Sequence, residues 1–188
     1  MKRFIMDELL RWKERKDRKP LIVKGVRQCG KTWTLREFGK DNYNETAYFN
    51  FEGNPALAER FEQDLDSERI IMELGVFSGK RIKPQETLII FDEIQFCNKA
   101  LTALKYFYEQ APQYHIVCAG SLLGITLSKP LSFPVGKVDF LTLRPMSFHE
   151  FVLANNEEML LEYIGKLDPN TPVPQIFADK LRTSPNYH

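Results

Sequence analysis

Two glycines, a lysine and a threonine stand at the spacing that phosphate binding requires, since residues 25–32 read G-x-x-x-x-G-K-T. A short apolar run precedes them and a helical pattern follows, which is the strand, turn and helix order of a phosphate-binding (Walker A) loop. Gly25 and Gly30 permit backbone angles at which successive N–H groups curl around an anion. Lys31 is expected to reach the β- and γ-phosphates, and the Thr32 hydroxyl to ligate Mg²⁺. The pattern predicts a nucleotide site; the alternative is a glycine-rich turn that matches by chance.

The stretch 25–33 is assigned to nucleotide contact. The helix that opens there adds unpaired N–H groups and the positive end of its dipole. Cys29 places a thiol inside the loop, so we expect a thiol reagent to block nucleotide binding and ATP to protect against it. The alternative is that Cys29 is a small residue that fits the loop. The assigned residues are Gly25, Val26, Arg27, Gln28, Cys29, Gly30, Lys31, Thr32 and Trp33.

Two acids follow four apolar residues further along, where residues 88–93 read L-I-I-F-D-E. In a parallel sheet, an acid at the carboxyl end of a strand lies beside the phosphate loop, in the crevice where such sheets bind ligands. Asp92 is therefore predicted to hold Mg²⁺, as in a Walker B strand. Glu93 is predicted to orient and deprotonate the water that attacks the γ-phosphate. The alternative is an acidic pair that caps the next helix.

Ser121 ends the following buried strand, after Cys118-Ala119-Gly120. In P-loop ATPases with an extra strand between the loop strand and the acidic strand, a polar residue here contacts the γ-phosphate or the attacking water. Ser121 either takes that part or caps the turn. The predicted catalytic residues are thus Lys31, Glu93 and Ser121, and the predicted metal ligands are Thr32 and Asp92.

The composition is that of an ordinary globular protein. The chain has 188 residues, 43% hydrophobic and 27% charged, with a formal net charge of +1, so no global field draws it to nucleic acid or anionic membrane. The three cysteines have no metal-type spacing and favour a reducing compartment, so we expect a cytoplasmic protein. No apolar run resembles a signal peptide or a membrane span. A basic run at 13–19 is interpreted as a solvated helix end, with nucleic-acid contact as the alternative.

Apolar periodicity predicts an α/β fold, a P-loop NTPase three-layer α-β-α sandwich with a mainly parallel sheet of the additional-strand type. Domain boundaries are predicted at 1–165 for the P-loop core and 166–188 for an irregular, Pro-rich tail. One helix is predicted to stop at Gly39, another to be capped by Ser67, and a capping box is predicted at Ser147–Glu150. The predicted strands are 21–24, 46–51, 87–91, 114–119 and 138–143, and the predicted helices are 2–16, 31–38, 55–65, 67–74, 99–110, 147–153 and 156–164.

With these motifs in place, the chain resembles a family of prokaryotic AAA-type ATPases that join an N-terminal P-loop domain to a C-terminal domain of unknown, nuclease-like type. The residues similar to the family's motifs are the loop at 20–32, the D-E-I-Q segment ending at Gln95, Gly120-Ser121, and the segment 143–151 (L-R-P-M-S-F-H-E-F). The resemblance covers residues 1 to about 165. It implies a helical lid and a second domain after the point where this chain stops, and no arginine here is assigned as the finger that completes a neighbouring site.

The motifs and the resemblance together predict an ATP-binding, Mg²⁺-dependent AAA-type ATPase domain that hydrolyses ATP to ADP and phosphate. One alternative is a nucleotide-gated interaction module with negligible turnover, and another is a P-loop small-molecule kinase, which usually carries an arginine-rich lid that is not seen at 120–150. GTP is disfavoured because Asn98-Lys99-Ala100-Leu101 lacks the Asp of the guanine-reading N-K-x-D motif. The expected partners are ATP and either a second copy or a C-terminal domain absent from this chain. The sequence supports neither nucleic acid nor membrane as a partner.

Overall fold

The structure is a computed structural model that describes residues 3–121, 134–155, 157–166 and 175. The chain divides into two compact units. Residues 4–145 form the sheet unit, and residues 1–3 together with 146–188 form the terminal unit. The division predicted at residue 165 stays a prediction.

The sheet unit contains five parallel strands in the order β2-β3-β4-β1-β5. β4 lies between β1 and β3, so an extra strand separates the glycine-loop strand from the acidic strand. This order confirms the predicted P-loop α/β sandwich of the additional-strand type. The strands are β1 (Leu21–Gly25), β2 (Glu45–Asn50), β3 (Thr87–Asp92), β4 (His115–Ser121) and β5 (Asp139–Thr142).

Helices cover both faces of this sheet, as continuous apolar strands require. All six residues of β3 are buried, and the pleat sends alternate side chains to two separate core layers. Leu88 and Ile90 pack with α1 and α2, whereas Ile89 and Phe91 pack with α4 and α5. The helices are α1 (Ile5–Glu14), α2 (Lys31–Asn42), α3 (Pro55–Ala58), α4 (Ser67–Ser78) and α5 (Asn98–Gln110), with 3₁₀ turns at Glu59–Phe61 and Ile94–Phe96.

The predicted end of the loop helix at Gly39 is wrong, because α2 continues through it to Asn42. A Cβ on Gly39 would lie 2.5 Å from the Thr46 Oγ1 atom and 3.2 Å from the Leu88 Cδ2 atom, so glycine serves close packing of the helix on the sheet. The predicted cap at Ser67 is off by one position. The side chain of Asp66 accepts the hydrogen bond from the Arg69 N–H, and Ser67 is the first helical residue.

Smaller differences concern element lengths. The helix predicted over 55–65 ends after one α-turn and one 3₁₀ turn, at Phe61. The strand predicted at 138–143 is confined to Asp139–Thr142, and the helix predicted at 2–16 is confined to Ile5–Glu14. Pro55 begins α3, where its missing N–H costs nothing, and the Asn54 side chain caps the helix by accepting a hydrogen bond from the Leu57 N–H.

The basic run at 13–19, which begins in the last turn of α1, directs most of its donors to the sheet unit itself. The Lys13 ammonium donates to the Asn42 carbonyl at 2.6 Å, and the Lys19 ammonium donates to the Gly136 carbonyl at 2.8 Å. Arg15 pairs with Asp17 and Asp139, and Arg18 donates to the Lys13 carbonyl. These contacts give the run a structural role in joining α1 to neighbouring segments.

The terminal unit contains α6 (Phe148–Ala154) and α7 (Glu158–Gly165). The predicted capping box is present, because Ser147 and Glu150 exchange side chain-to-backbone hydrogen bonds. Glu150 also accepts a 3.0 Å hydrogen bond from Arg3, and both side chains are buried. The Pro-rich tail predicted at 166–188 lies outside the described residues except for Lys166 and Gln175.

Candidate nucleotide-binding site

The glycine loop connects the carboxyl end of β1 to the first residue of α2 within the sheet unit. Gly30 precedes the helix in the left-handed region at φ +90°, which a glycine adopts without strain. Gly25 has no room for a side chain, because a Cβ would lie 2.3 Å from the Leu143 carbonyl oxygen and 2.9 Å from the Cys29 Sγ atom. Gln28 also has a positive φ, +62°. The loop is therefore a strained turn that closes on the segment after β5.

Lys31 folds back over this loop. Its ammonium donates to the Gly25 carbonyl at 3.0 Å and to the Val26 carbonyl at 2.8 Å, and it lies 4.0 Å from the Cys29 Sγ atom. The lysine is only 6% exposed. A buried ammonium that has neutral carbonyls as partners gains from exchanging them for an anion, since hydrogen bonds between charged groups are the stronger ones.

The remaining residues assigned to nucleotide contact differ in exposure. Val26, Arg27, Gln28 and Trp33 are exposed. Cys29 is buried, and its thiol donates to the Leu143 carbonyl at 3.6 Å. The thiol therefore faces the inside of the loop, where a bulky reagent would have to displace the loop backbone to reach it.

Thr32 and Asp92 meet directly, although 60 residues separate them. The Thr32 hydroxyl donates to the Asp92 Oδ2 atom at 2.7 Å. The Tyr48 hydroxyl donates to the same oxygen, also at 2.7 Å, and the Glu93 backbone N–H donates to Oδ1 at 3.1 Å. The carboxylate is thus held by the head of α2, by β2 and by the residue that follows β3.

Asp92 is only 3% exposed, and the described residues give it hydrogen-bond donors but no lysine or arginine partner. Buried carboxylates are normally paired with a cation or bound to a metal, because an unpaired buried charge is expensive. The arrangement therefore suits a divalent cation at Asp92. Across the described ranges no cluster of three or more His, Cys, Asp or Glu forms a metal cage. Mg²⁺ needs none, since it usually takes one or two carboxylates together with water and substrate phosphates.

Glu93 follows Asp92 with a left-handed backbone, φ +50°, which is uncommon for a residue with a side chain. Its half-buried carboxylate accepts a hydrogen bond from the Gln95 amide. Ser121 is half-buried at the end of β4, where the strand register places it opposite Gly25. The structure therefore brings Thr32 and Asp92 into contact and sets Ser121 beside the loop. Glu93 is held by Gln95, which belongs to the same segment.

Sequence reasoning gave no role in the site to Tyr48, Arg36 or Gln95. Tyr48 remains a hydroxyl donor at neutral pH, because burial and then the hydrogen bond to Asp92 raise its pKa to about 12. The Arg36 guanidinium lies over the Tyr48 ring, 3.8 Å from its centroid. The signal available in the sequence was the predicted strand at 46–51. Once this strand is paired in parallel with β3, the alternation of side chains places Tyr48 on the face that carries Asp92.

Comparison with known protein families identifies the family of this chain. A family profile described as "AAA domain" matches residues 17–152, which is more than half of the chain and includes the glycine loop, β3 and β4. The chain belongs to this family. It is therefore an AAA-type P-loop domain, and an ATPase-type nucleotide-binding function follows at that level of description.

Two solved structures are similar to this AAA domain. Caenorhabditis elegans PCH-2 has a TM-score of 0.47 and 14% identity, with 92% of this chain and 50% of that chain covered. The Aeropyrum pernix ORC1 protein, solved in complex with DNA, has a TM-score of 0.49 and 17% identity, with 97% of this chain and 56% of that chain covered. The AAA domain spans about half the length of these two proteins. No curated protein matches the chain.

The described part of the AAA domain contains no helix that is long and apolar enough to cross a membrane.

Proposed function

We propose that this AAA domain binds ATP with Mg²⁺ and hydrolyses it to ADP and phosphate. The observation that carries the proposal is the buried Asp92 carboxylate, which lies 2.7 Å from the Thr32 hydroxyl at the head of α2 and has no cationic partner among the described residues. A magnesium–triphosphate group would supply both the missing cation and the anion that the loop is shaped to hold.

The loop residues fit a phosphate group. Gly30 allows the left-handed turn that aims N–H groups inward, and α2 adds the positive end of its dipole. The buried Lys31 ammonium would exchange the Gly25 and Val26 carbonyls for β- and γ-phosphate oxygens. The exposed Val26, Arg27, Gln28 and Trp33 would contact the remainder of the nucleotide.

Thr32 and Asp92 would hold the metal ion, Thr32 through its hydroxyl and Asp92 directly or through water. When bound, Mg²⁺ supplies positive charge that neutralises the phosphate oxygens. This assignment agrees with the chemistry of the donors, because hydroxyl and carboxylate oxygens are the hard ligands that Mg²⁺ prefers.

Glu93 would orient the attacking water and accept its proton. The water oxygen forms a bond to the γ-phosphorus, and the bond from that phosphorus to the oxygen bridging to the β-phosphate breaks, which gives ADP and phosphate. Ser121, opposite Gly25 in the register, would contact the γ-phosphate or the water. Lys31 would stabilise the charge on the transferring group.

Two substitutions test the proposal when ATP binding and phosphate release are measured separately. Lys31→Ala should weaken ATP binding at least about tenfold, because a charged hydrogen bond is lost. Glu93→Gln should leave ATP binding intact and slow phosphate release by about 10²–10⁴-fold, the usual contribution of a general base. Lys40→Ala, an exposed lysine on the same helix, should change neither quantity and serves as the matched control.

One observation favours a second candidate, a nucleotide-gated interaction module with negligible turnover. The Gln95 amide donates to Oε2, one of the two oxygens of the Glu93 carboxylate that hydrolysis needs. If wild type releases phosphate no faster than Glu93→Gln while both bind ATP, the module is the better description. If Lys31→Ala binds ATP as wild type does, the assignment of the loop itself is wrong.

A further inference from the structure

A tyrosine that no P-loop motif contains contacts the acidic residue of the site. The Tyr48 hydroxyl donates to the Asp92 Oδ2 atom at 2.7 Å, and the Thr32 hydroxyl donates to the same oxygen at an equal distance. Tyr48 is half-buried on β2, which pairs in parallel with β3 so that Asn50 stands opposite Asp92. The contact therefore follows from the sheet register and not from proximity in the sequence.

The hydrogen bonds to Asp92 leave a defined part of the carboxylate for a ligand. An ionised carboxylate offers about four acceptor positions. Thr32 and Tyr48 take two on Oδ2, and the Glu93 N–H takes one on Oδ1. The orientation of the carboxylate is thus fixed from both oxygens. Among the residues that the structure describes, none donates to the fourth acceptor position, on Oδ1, which is left for a cation or a cation-bound water.

Tyr48 differs from the other two donors to Asp92, because it does not depend on the bound nucleotide or metal ion. Thr32 would itself bind the metal ion, and the Glu93 N–H belongs to the segment that carries the proposed base. Tyr48 contacts the site through Asp92, and its ring is fixed from outside by Arg36, whose guanidinium lies 3.8 Å from the ring centroid. Such stacking of a guanidinium on an aromatic ring is attractive, because the cation lies over the negative face of the ring.

Arg36 also joins the tyrosine to the loop helix. Thr32 and Arg36 are four residues apart on α2 and therefore lie on one face of the helix. α2 contacts Asp92 through Thr32 and contacts Tyr48 through Arg36, while Tyr48 contacts Asp92. These three side-chain contacts, joined through the backbone of α2, connect α2, β2 and the end of β3.

We propose that Tyr48 is a positioning residue that holds Asp92 in the orientation needed to bind the magnesium ion of a bound nucleotide, with Arg36 fixing its ring. This inference rests on the proposed function. Outer contacts that orient metal-binding carboxylates typically change metal affinity by 10–100-fold when they are removed. Tyr48 therefore acts on the metal-dependent part of nucleotide binding and leaves the phosphate loop unchanged.

Tyr48→Phe tests the inference, because it removes the hydroxyl and keeps the ring under Arg36. A fluorescent ATP analogue is bound to the full chain at sub-saturating concentration, and Mg²⁺ is titrated to find the half-maximal concentration. The same analogue is then titrated in EDTA. Tyr48→Phe should raise the half-maximal Mg²⁺ concentration about tenfold, at the low end of that range, and leave the affinity in EDTA unchanged.

Tyr43→Phe is the matched control. Tyr43 is also half-buried, and its hydroxyl makes a hydrogen bond of the same length, 2.7 Å, but to His115 at the opposite end of the sheet. This variant should leave both titrations unchanged. Arg36→Lys keeps the charge and loses the planar stack on the exposed side, so it should raise the half-maximal Mg²⁺ concentration about threefold without disturbing the fold.

The outcomes separate the inference from the proposed function. If wild type binds the analogue with Mg²⁺ and Tyr48→Phe needs the same Mg²⁺ concentration, the positioning role is refuted and the ATP site stands. If Tyr43→Phe shifts the Mg²⁺ titration as much as Tyr48→Phe does, the effect is general destabilisation and the inference fails. If Tyr48→Phe does not fold, an unchanged titration for Arg36→Lys refutes the role. Absence of Mg²⁺-dependent binding in wild type overturns the proposed function, and the inference with it.

Discussion

Replacing Gly39 by alanine measures how closely the helix that carries Lys31 and Thr32 packs on the sheet. Alanine in a helix interior is normally more stable than glycine by about 0.5–1 kcal/mol. Here the added methyl carbon would lie 2.5 Å from the Thr46 Oγ1 atom and 3.2 Å from the Leu88 Cδ2 atom. Overpacking of a tight contact costs about 1–3 kcal/mol. The difference predicts a net loss of about 1–2 kcal/mol in the free energy of unfolding.

Urea denaturation measures this quantity. With a denaturant slope of about 2 kcal/mol per molar, the midpoint should fall by about 0.5–1 M at constant slope. Because α2 must lift from the sheet to admit the methyl group, ATP binding should weaken in the same variant. A midpoint equal to or above that of wild type would refute the packing argument.

A second substitution identifies the atom responsible. Thr46→Ala removes the Oγ1 and Cγ2 atoms that stand closest to the new methyl group. In that background Gly39→Ala should become neutral or stabilising by up to about 1 kcal/mol, since the helix propensity then balances or outweighs the remaining 3.2 Å approach to the Leu88 Cδ2 atom. The double-mutant cycle should therefore give a favourable coupling of about 1–3 kcal/mol between the two positions. Additive effects would show that the methyl group meets some other obstacle.

Three further predictions concern the glycine loop and His115, the first residue of β4. Gly25→Ala should lower the free energy of unfolding by about 1–3 kcal/mol and abolish nucleotide binding. The reason is that its methyl group would overlap the Leu143 carbonyl oxygen, a backbone atom that cannot rotate away. Urea denaturation measures the first effect, and binding of the ATP analogue measures the second. N-ethylmaleimide should modify Cys29 only slowly, because the thiol is buried and the loop backbone must move to admit the reagent. The modification should block nucleotide binding, and ATP should slow it; peptide mapping that finds Cys29 modified with binding intact would contradict this. Burial and nearby cations lower the pKa of His115 to about 4, so the unfolded chain takes up a proton between about pH 6.5 and 4 that the folded chain refuses. The free energy of unfolding should therefore fall by about 2 kcal/mol as the pH drops through that window, after allowance for solvent screening, and His115→Gln should flatten that slope.

Most of the sheet could be predicted from the sequence, because buried parallel strands are short apolar runs with clear ends. Residues 87–91 are such a run, and the structure extends it by only one residue, Asp92. A parallel sheet with an extra strand between the glycine-loop strand and the acidic strand was also predicted. The full order of the five strands was not, because local patterns do not show which strands are hydrogen-bonded neighbours. In these strands, the apolar residues that make the local pattern recognisable are the same residues that fill the core.

Helix ends were harder to predict because one residue type serves several purposes. Glycine commonly ends a helix, and Gly39 was interpreted in that way. In the structure its conformation is helical, and its use is the close approach of α2 to Thr46. Asp66 and Ser67 are both capping residue types, so the sequence could not decide between them. Only the hydrogen bond from the Arg69 N–H identifies Asp66 as the cap.

The candidate site contains two kinds of residue: those inside sequence motifs, which could be predicted, and those brought in by strand pairing, which could not. Thr32 and Asp92 belong to motifs, and their approach follows from the general rule that ligands bind at the carboxyl ends of parallel strands. Tyr48 belongs to no motif, and its place depends on the register that sets it opposite Ile90 and sets Asn50 opposite Asp92. A slip of one residue would turn every side chain of β2 to the other face and remove the tyrosine from the acid. The hydrophobic residues that alternate with it on β2 resist such a slip, and the same burial that stabilises the core thereby fixes a donor on the proposed metal ligand.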